Sequence, residues 1–186
     1  MKKYLIINFM IFSNLIIAQK INYGLKVGLN LTGLHTQNGV VSDLVGYNFG
    51  GIVSYKTSAT FTFQGELLLN KKGGIIRQSL LTTNPEINLL YINTPLLTKI
   101  NIFKNFNFNF GPEIGFLIEK KTTIDGEEID SGDISNIDFN ITGGFEYNFK
   151  NGVFLQSRYS YGLSRLYESE NYKNSAISLS LGYVLN

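Results

Sequence analysis

The chain has 186 residues, 44% of them hydrophobic and only 16% charged, with a formal net charge of +2. That length fits one domain, the apolar content excludes a disordered chain, and so small a charge excludes a basic nucleic-acid binder. Cysteine is absent, which removes disulfides, thiolate metal sites, a cysteine nucleophile and a lipidated cysteine.

Soluble domains usually carry about 25% charged residues, so the water-facing surface is undersupplied here. Gly is frequent (19), aromatics reach 13%, Pro falls to 3 and Trp is absent. This profile points to an all-β chain with much apolar surface.

Lys2 and Lys3 precede an apolar stretch from Tyr4 to Ile17, and Ala18 precedes Gln19. A basic start, a short apolar core and a small residue at the cut describe a cleaved secretory signal peptide over residues 1–18, leaving a barrel domain over 19–186. The stretch falls short of the roughly 20 apolar residues of a membrane helix. Without Lys2 and Lys3 the chain carries 14 basic and 14 acidic residues, so it has no long-range charge to attract nucleic acid.

From residue 22 onward the hydrophobic period is two. Leu25, Val27, Leu29 and Leu31 alternate with Lys26, Gly28, Asn30 and Thr32; Tyr47, Phe49, Val53 and Tyr55 follow with Asn48, Gly50, Ser54 and Lys56 between them. Phe61, Phe63, Leu67 and Leu69 then interleave with Thr62, Gln64, Glu66 and Asn70, and Leu90, Ile92, Leu96 and Ile100 oppose Tyr91, Asn93, Pro95 and Lys99. The same alternation runs through Phe106–Glu119, Phe139–Phe149, Val153–Leu163 and Ile177–Leu185. Successive side chains of a strand point to opposite faces, so the pattern predicts eight strands, each with one apolar and one polar face. Tight connections are expected at Thr57–Ala59, Lys104-Asn105 and Lys150–Gly152, and long loops at His35–Val45, Gly73–Glu86, Lys121–Asp133 and Ser164–Lys173. Long and short connections alternate, as in an up-and-down meander with every long loop at one end.

Volume decides which face is inside. An eight-stranded barrel has an interior just wide enough for side chains to fill, and the large Phe, Tyr and Leu residues of the apolar face would not fit there. The Gly, Ser, Thr and Asn of the other face suit a narrow lumen. Only a closed barrel crosses lipid with sheet backbone, because an open edge leaves N–H and C=O groups unpaired in hydrocarbon. The expected fold is therefore an all-β, eight-stranded antiparallel up-and-down transmembrane β-barrel in a Gram-negative outer membrane. A soluble lipocalin-like barrel around an apolar ligand is the alternative. Tyr23, Tyr47, Tyr55, Tyr147, Tyr159 and Tyr183 are candidates for interfacial girdles.

Lys26, Glu66, Lys99, Glu113, Glu146 and Arg158 fall on the polar face. Charges in a narrow lumen are strongly disfavoured unless paired, so these six are expected to form an ion-pair and hydrogen-bond network that plugs the barrel. Lys56 and Glu119 lie nearer strand ends. Catalytic chemistry is thin. The one histidine, His35, precedes Ser42 and Asp43 in the first long loop, where a solvated histidine is the simpler reading, and P-loop, dinucleotide and HExxH motifs are absent. Gly50-Gly51, Gly73-Gly74 and Gly143-Gly144 read as kinks or loops. The acidic run Asp125, Glu127, Glu128, Asp130 and Asp133 does not match a calcium-loop spacing. No catalytic residue, cofactor or metal is expected.

Beyond generic alternation, Tyr91-Ile92-Asn93-Thr94-Pro95-Leu96-Leu97-Thr98-Lys99 is similar to the fourth-strand signature Tyr-x-x-x-Pro-Leu-Leu of the Bacteroidota outer-membrane β-barrel family, often called porin family or PorT-like, with Tyr91, Pro95, Leu96 and Leu97 as its motif residues. Phe110-Gly111-Pro112-Glu113-Ile114-Gly115 resembles the Gly-rich fifth strand of that family, and Asp138–Tyr147, Phe154–Leu163 and Leu179–Tyr183 resemble its last three. Asn93 stands where members often have an acidic residue, and the chain ends Leu185-Asn186 where a terminal aromatic is usual. The resemblance implies an outer-membrane barrel without an assigned reaction. PorT-like relatives are linked to gliding motility and type IX secretion, and no residue here identifies that role.

The leading reading is a non-enzymatic outer-membrane barrel with a structural or interaction role through four outward loops. A small porin-like channel and a PorT-like component of a secretion machinery are the alternatives. Expected partners are outer-membrane lipid and lipopolysaccharide, the barrel assembly machinery during biogenesis, and a protein engaged through the long loops.

Overall fold

Alternation becomes strand along nearly the whole chain in a computed structural model that describes residues 21–36, 39–75, 84–167 and 172–185, with side chains described outside 35–43. The expected leader over 1–18 lies outside the described residues. Among the described residues nine strands follow in order: β1 (Ile21–Thr36), β2 (Gly39–Lys56), β3 (Phe61–Ile75), β4 (Glu86–Phe103), β5 (Phe106–Ile124), β6 (Glu127–Ile129), β7 (Ile137–Asn148), β8 (Val153–Gly162) and β9 (Lys173–Leu185).

All but β6 join one wall. Each is antiparallel to its chain neighbours, β5 passes directly to β7, and β9 returns to β1 with Tyr23 opposite Leu185 and His35 opposite Lys173. The result is a closed eight-stranded antiparallel barrel, as the alternation predicts. Closure leaves no unpaired edge, which is the condition for sheet backbone in hydrocarbon.

The turns follow local chemistry. Asn105, at φ 70°, makes the tight β4–β5 turn, and Gly152, at φ 84°, sits in the β7–β8 turn. The three-residue β6 folds back on β5 through Asp125 (φ 52°) and Gly126 (φ 87°). Two successive positive φ values define the hairpin turn that Asp-Gly favours.

Two expected loops are shorter than the sequence suggests. The stretch His35–Val45 is largely ladder, since β1 and β2 stay paired as far as Thr36 opposite Gly39. His35, Ser42 and Asp43 are therefore strand residues by backbone; their side chains lie outside the described set. The stretch Lys121–Asp133 is opened by the end of β5 and by β6. The cause is the same in both places: pairing continues past the apolar band, where alternation no longer marks it.

The faces are inverted relative to a soluble domain. Leu25 (65% exposed), Leu96 (62%) and Leu179 (58%) point outward, while the eight buried charged residues among the described side chains all point inward. Tyr23, Tyr147 and Tyr183 face outward near the short-turn end, beside Phe103 and Phe149. Aromatic rings of this amphipathic kind mark a membrane–water boundary. At the opposite end residues 132–136 of the β5–β7 connection and 163–167 after β8 fold over the mouth. Ser135 N–H donates to the Leu166 carbonyl at 2.9 Å, and Ile134 bridges Tyr167. Ile134 and Leu166 thereby close on Leu34, Ile87, Leu89 and Tyr91 in a buried apolar cluster.

Candidate functional site

The lumen is the candidate site, because every buried charge of the described residues lies there. Four cations (Lys26, Lys72, Lys99, Arg158) meet four anions (Glu66, Glu113, Asp138, Glu146). Charges withdrawn from water are tolerable only when paired and hydrogen-bonded, and each of the eight has an ionic partner within 3.4 Å.

Nearer the turns, Glu66 of β3 is the hub. It accepts from Lys26 Nζ of β1 at 2.8 Å and from both terminal nitrogens of Arg158 of β8, at 2.9 and 2.6 Å. Gln64 Nε2 donates to its other side at 2.6 Å. Lys26 Nζ also donates to Gln156 Oε1 at 3.1 Å, and Gln156 Nε2 donates on to Glu146 at 2.9 Å. Glu146 in turn accepts two bonds from Lys99 Nζ, at 2.7 and 2.6 Å. Lys99 stands 5.5 Å from the centroid of the buried Phe154 ring, a distance at which an ammonium is attracted to the ring face.

A second cluster lies nearer the loops. Lys72 Nζ of β3 donates to Glu113 of β5 at 3.0 Å and to Asp138 of β7 at 3.4 Å. Asn93 Nδ2 donates to the same Glu113 oxygen. Asp138 is further held by Asn140 and Asn174, both at 3.1 Å, and by the Ser164 hydroxyl at 3.2 Å. Between the clusters runs an amide ladder: Asn48 donates to Asn30, and Asn30 donates to Asn70, both at 2.6 Å.

All six charged residues expected from the sequence are thus lumenal, divided between two clusters: Glu113 lies in the upper one and the other five in the lower. Lys72 and Asp138, which the sequence pattern does not single out, join Glu113 there. Both sit one step of two beyond the alternation, after Asn70 and before Asn140, and that step was the available signal. Lys56 and Glu119 are exposed. Of the motif residues, Tyr91, Pro95 and Leu97 point into the lumen and Leu96 points out. Fully buried Tyr91 accepts from Asn174 at 3.4 Å and lies 5.7 Å beneath Lys72.

Nothing in this arrangement resembles a nucleophile with its base. Among the described residues, no three of His, Asp or Glu gather as a metal site. What the geometry can do is hold the wall together from within and occupy the bore. Toward the turns a polar vestibule of about 210 Å³, lined by Asn22, Asn101, Asn107 and Asn148, ends at Lys99 and Glu146.

A closed wall that is apolar outside and charge-paired inside defines a transmembrane β-barrel of an outer membrane. The chain belongs to the outer membrane protein beta-barrel domain family, whose pattern matches residues 17–168. Among solved structures it is similar to Ail, the attachment invasion locus protein of Yersinia pestis, solved with the heparin analogue sucrose octasulfate, at 14% identity and a TM-score of 0.56, over 89% of this chain and 99% of that one. It is also similar to Neisserial surface protein A, at 12% identity and a TM-score of 0.59, over 87% of this chain and 96% of that one. At such identities the likeness is one of fold. No curated protein matches the sequence significantly.

Proposed function

We propose that this protein is a non-enzymatic outer-membrane barrel whose lumen is plugged by its own side chains and whose work is done by the loops it carries outward. The observation that carries this reading is the pairing of Arg158 with Glu66. β3 and β8 are four strands apart by either route around the wall, so the pair spans the bore, which supports a lumen blocked to water. The apolar cluster of Ile134 and Leu166 over the mouth supports the same reading from the other end. The connections at that end bring the exposed Arg165 and Asp133 to one open cleft with Tyr167, a mixed surface suited to a protein partner. The leader over 1–18 and the Tyr91–Lys99 motif support export and a Bacteroidota setting, with lipopolysaccharide around the wall and the assembly machinery acting during insertion.

Planar-bilayer recording of the full-length protein tests the plug. A plugged lumen gives no steady conductance step. A reproducible step of constant size would establish the porin-like channel instead. Co-purification from native membranes tests the secretion-machinery alternative, which requires the barrel to elute with stable partners.

A further inference from the structure

The three tight turns repeat one local pattern. Each opens on an aromatic residue followed by a lysine: Tyr55-Lys56 before the β2–β3 turn, Phe103-Lys104 at the β4–β5 turn and Phe149-Lys150 at the β7–β8 turn. All three lysines are exposed, as are Phe103 and Phe149. Hydrogen bonds tie the turns into one arc. Asn101 N–H donates to the Thr60 carbonyl at 2.8 Å, which joins the β2–β3 turn to β4. Asn148 N–H donates to the Asn105 carbonyl at 2.8 Å, which joins the β4–β5 turn to β7.

An aromatic surface adjoins that arc. Ring centroids are 6.2 Å apart for Phe103 and Phe106, 5.5 Å for Phe106 and Phe145, and 4.9 Å for Tyr147 and Phe149, and register sets Phe106 opposite Tyr147. Cross-strand partners share a face, so these five rings form one outward patch flanked by Lys104 and Lys150. Aromatic rings at the rim of an apolar band sit at the headgroup level of a bilayer. A lysine beside them lays its stem on apolar surface and carries its ammonium into the polar layer.

Charge divides between the two ends of the barrel. Outside the lumen, the described side-chain carboxylates are Glu86, Glu119 and the five from Asp125 to Asp133, and all of them lie at the loop end. The turn end carries none among the described residues. Lys56, Lys104 and Lys150 accordingly have no carboxylate within 4.0 Å among those residues. Three solvated cations with no internal competitor give the turn end a positive field, which attracts an anionic lipid surface.

We propose that the turn end is a docking surface for anionic phospholipid, with the lysine arc on the headgroup phosphates and the acyl chains against the aromatic patch. A zwitterionic headgroup brings its own cation to the same place and gains less from the lysines. The loop end, with its excess of carboxylates, offers no such attraction, so the enrichment belongs to the leaflet on the turn side. This goes beyond the plugged-barrel reading and requires only that the barrel stand in a bilayer.

The test uses the full chain in nanodiscs of mixed phosphatidylcholine and phosphatidylglycerol, with the lipids retained by each barrel counted by native mass spectrometry. Phosphatidylglycerol is expected to be enriched at least tenfold over its share of the disc, and added salt to lower that enrichment by screening. Lys104→Gln and Lys150→Gln are each expected to reduce it about fivefold, and the triple variant with Lys56→Gln to abolish it. Lys71→Gln with Lys121→Gln at the loop end leaves it unchanged. No enrichment in the native chain overturns the proposal and would turn the arc over to a soluble anionic partner. Enrichment that survives in the triple variant, or that is lost in the loop-end double variant, overturns it as well. Lipid counting does not depend on conductance, so a lumen found open leaves this result untouched.

Discussion

Arg158 and Glu66 belong to diametrically opposed strands, β8 and β3, and meet through two parallel hydrogen bonds of 2.9 and 2.6 Å. Two-pronged guanidinium–carboxylate pairing is directional as well as strong, so this contact acts as a strut between walls that share no ladder. Lys26 adds a second cation to the same carboxylate at 2.8 Å.

Glu66→Ala leaves Arg158 buried without its carboxylate, whereas Arg158→Ala leaves Glu66 still paired with Lys26. Glu66→Ala is expected to cost about 3–5 kcal/mol, and Arg158→Ala less. The double variant should cost less than the sum, because no lone charge remains between those two positions. Urea unfolding of the four proteins in detergent micelles checks this; strictly additive losses would show that the two side chains do not couple.

The position of an ion pair should matter more than its length. Lys99–Glu146 and Lys121–Glu128 both measure 2.6 Å, yet the first is buried and the second about half exposed. Lys99→Ala is expected to lower unfolding free energy by about 3 kcal/mol, and Lys121→Ala by less than about 1 kcal/mol. The same unfolding series reads both.

Gly182 faces the Phe154 ring so closely that an added Cβ would overlap ring carbons. Phe154 is fully buried, so it has nowhere to retreat. Gly182→Ala is expected to destabilise by about 1–3 kcal/mol, and Phe154→Leu in the same chain should recover part of the loss. Thermal unfolding of the single and double variants decides; no recovery would place the strain elsewhere.

How far the barrel could be read in advance follows from which signals are local. Alternation is local, and it assigns Lys26, Glu66 and Arg158 to the inner face without any knowledge of their neighbours. Who meets whom is not local: Glu66 and Arg158 are 92 residues apart, and only the closed register joins them. Lys72 continues the series Glu66, Leu68, Asn70 in steps of two, but the following Gly73-Gly74 pair reads as a loop and hides it. Asp125-Gly126 is a hairpin signal, masked by the acidic run around it. The lid had no periodic signal at all, since Ile134 and Leu166 are single apolar residues in polar connections, buried by where those connections cross the mouth.

That lid should open independently of the wall. Leu166 is buried at 3% exposure, and a carboxylate there would have no cation beside it in the apolar cluster. Leu166→Asp is expected to raise amide hydrogen exchange in 132–136 and 163–167 at least tenfold, as local opening without global unfolding allows, while β1 and β9 stay protected. Loss of protection across the wall would mean that the lid holds the barrel shut.

The central claim is that the oily rows face lipid and the polar rows face the bore. The absence of cysteine makes a direct measurement possible: single cysteines at Leu179 and Ser180, adjacent on β9 but 58% and 2% exposed, each spin-labelled in a phosphatidylcholine bilayer and probed for collision with dissolved oxygen. Strong oxygen relaxation at 179 and little at 180 is the expected result. Equal relaxation at both positions, or the reverse order, would contradict the inverted barrel.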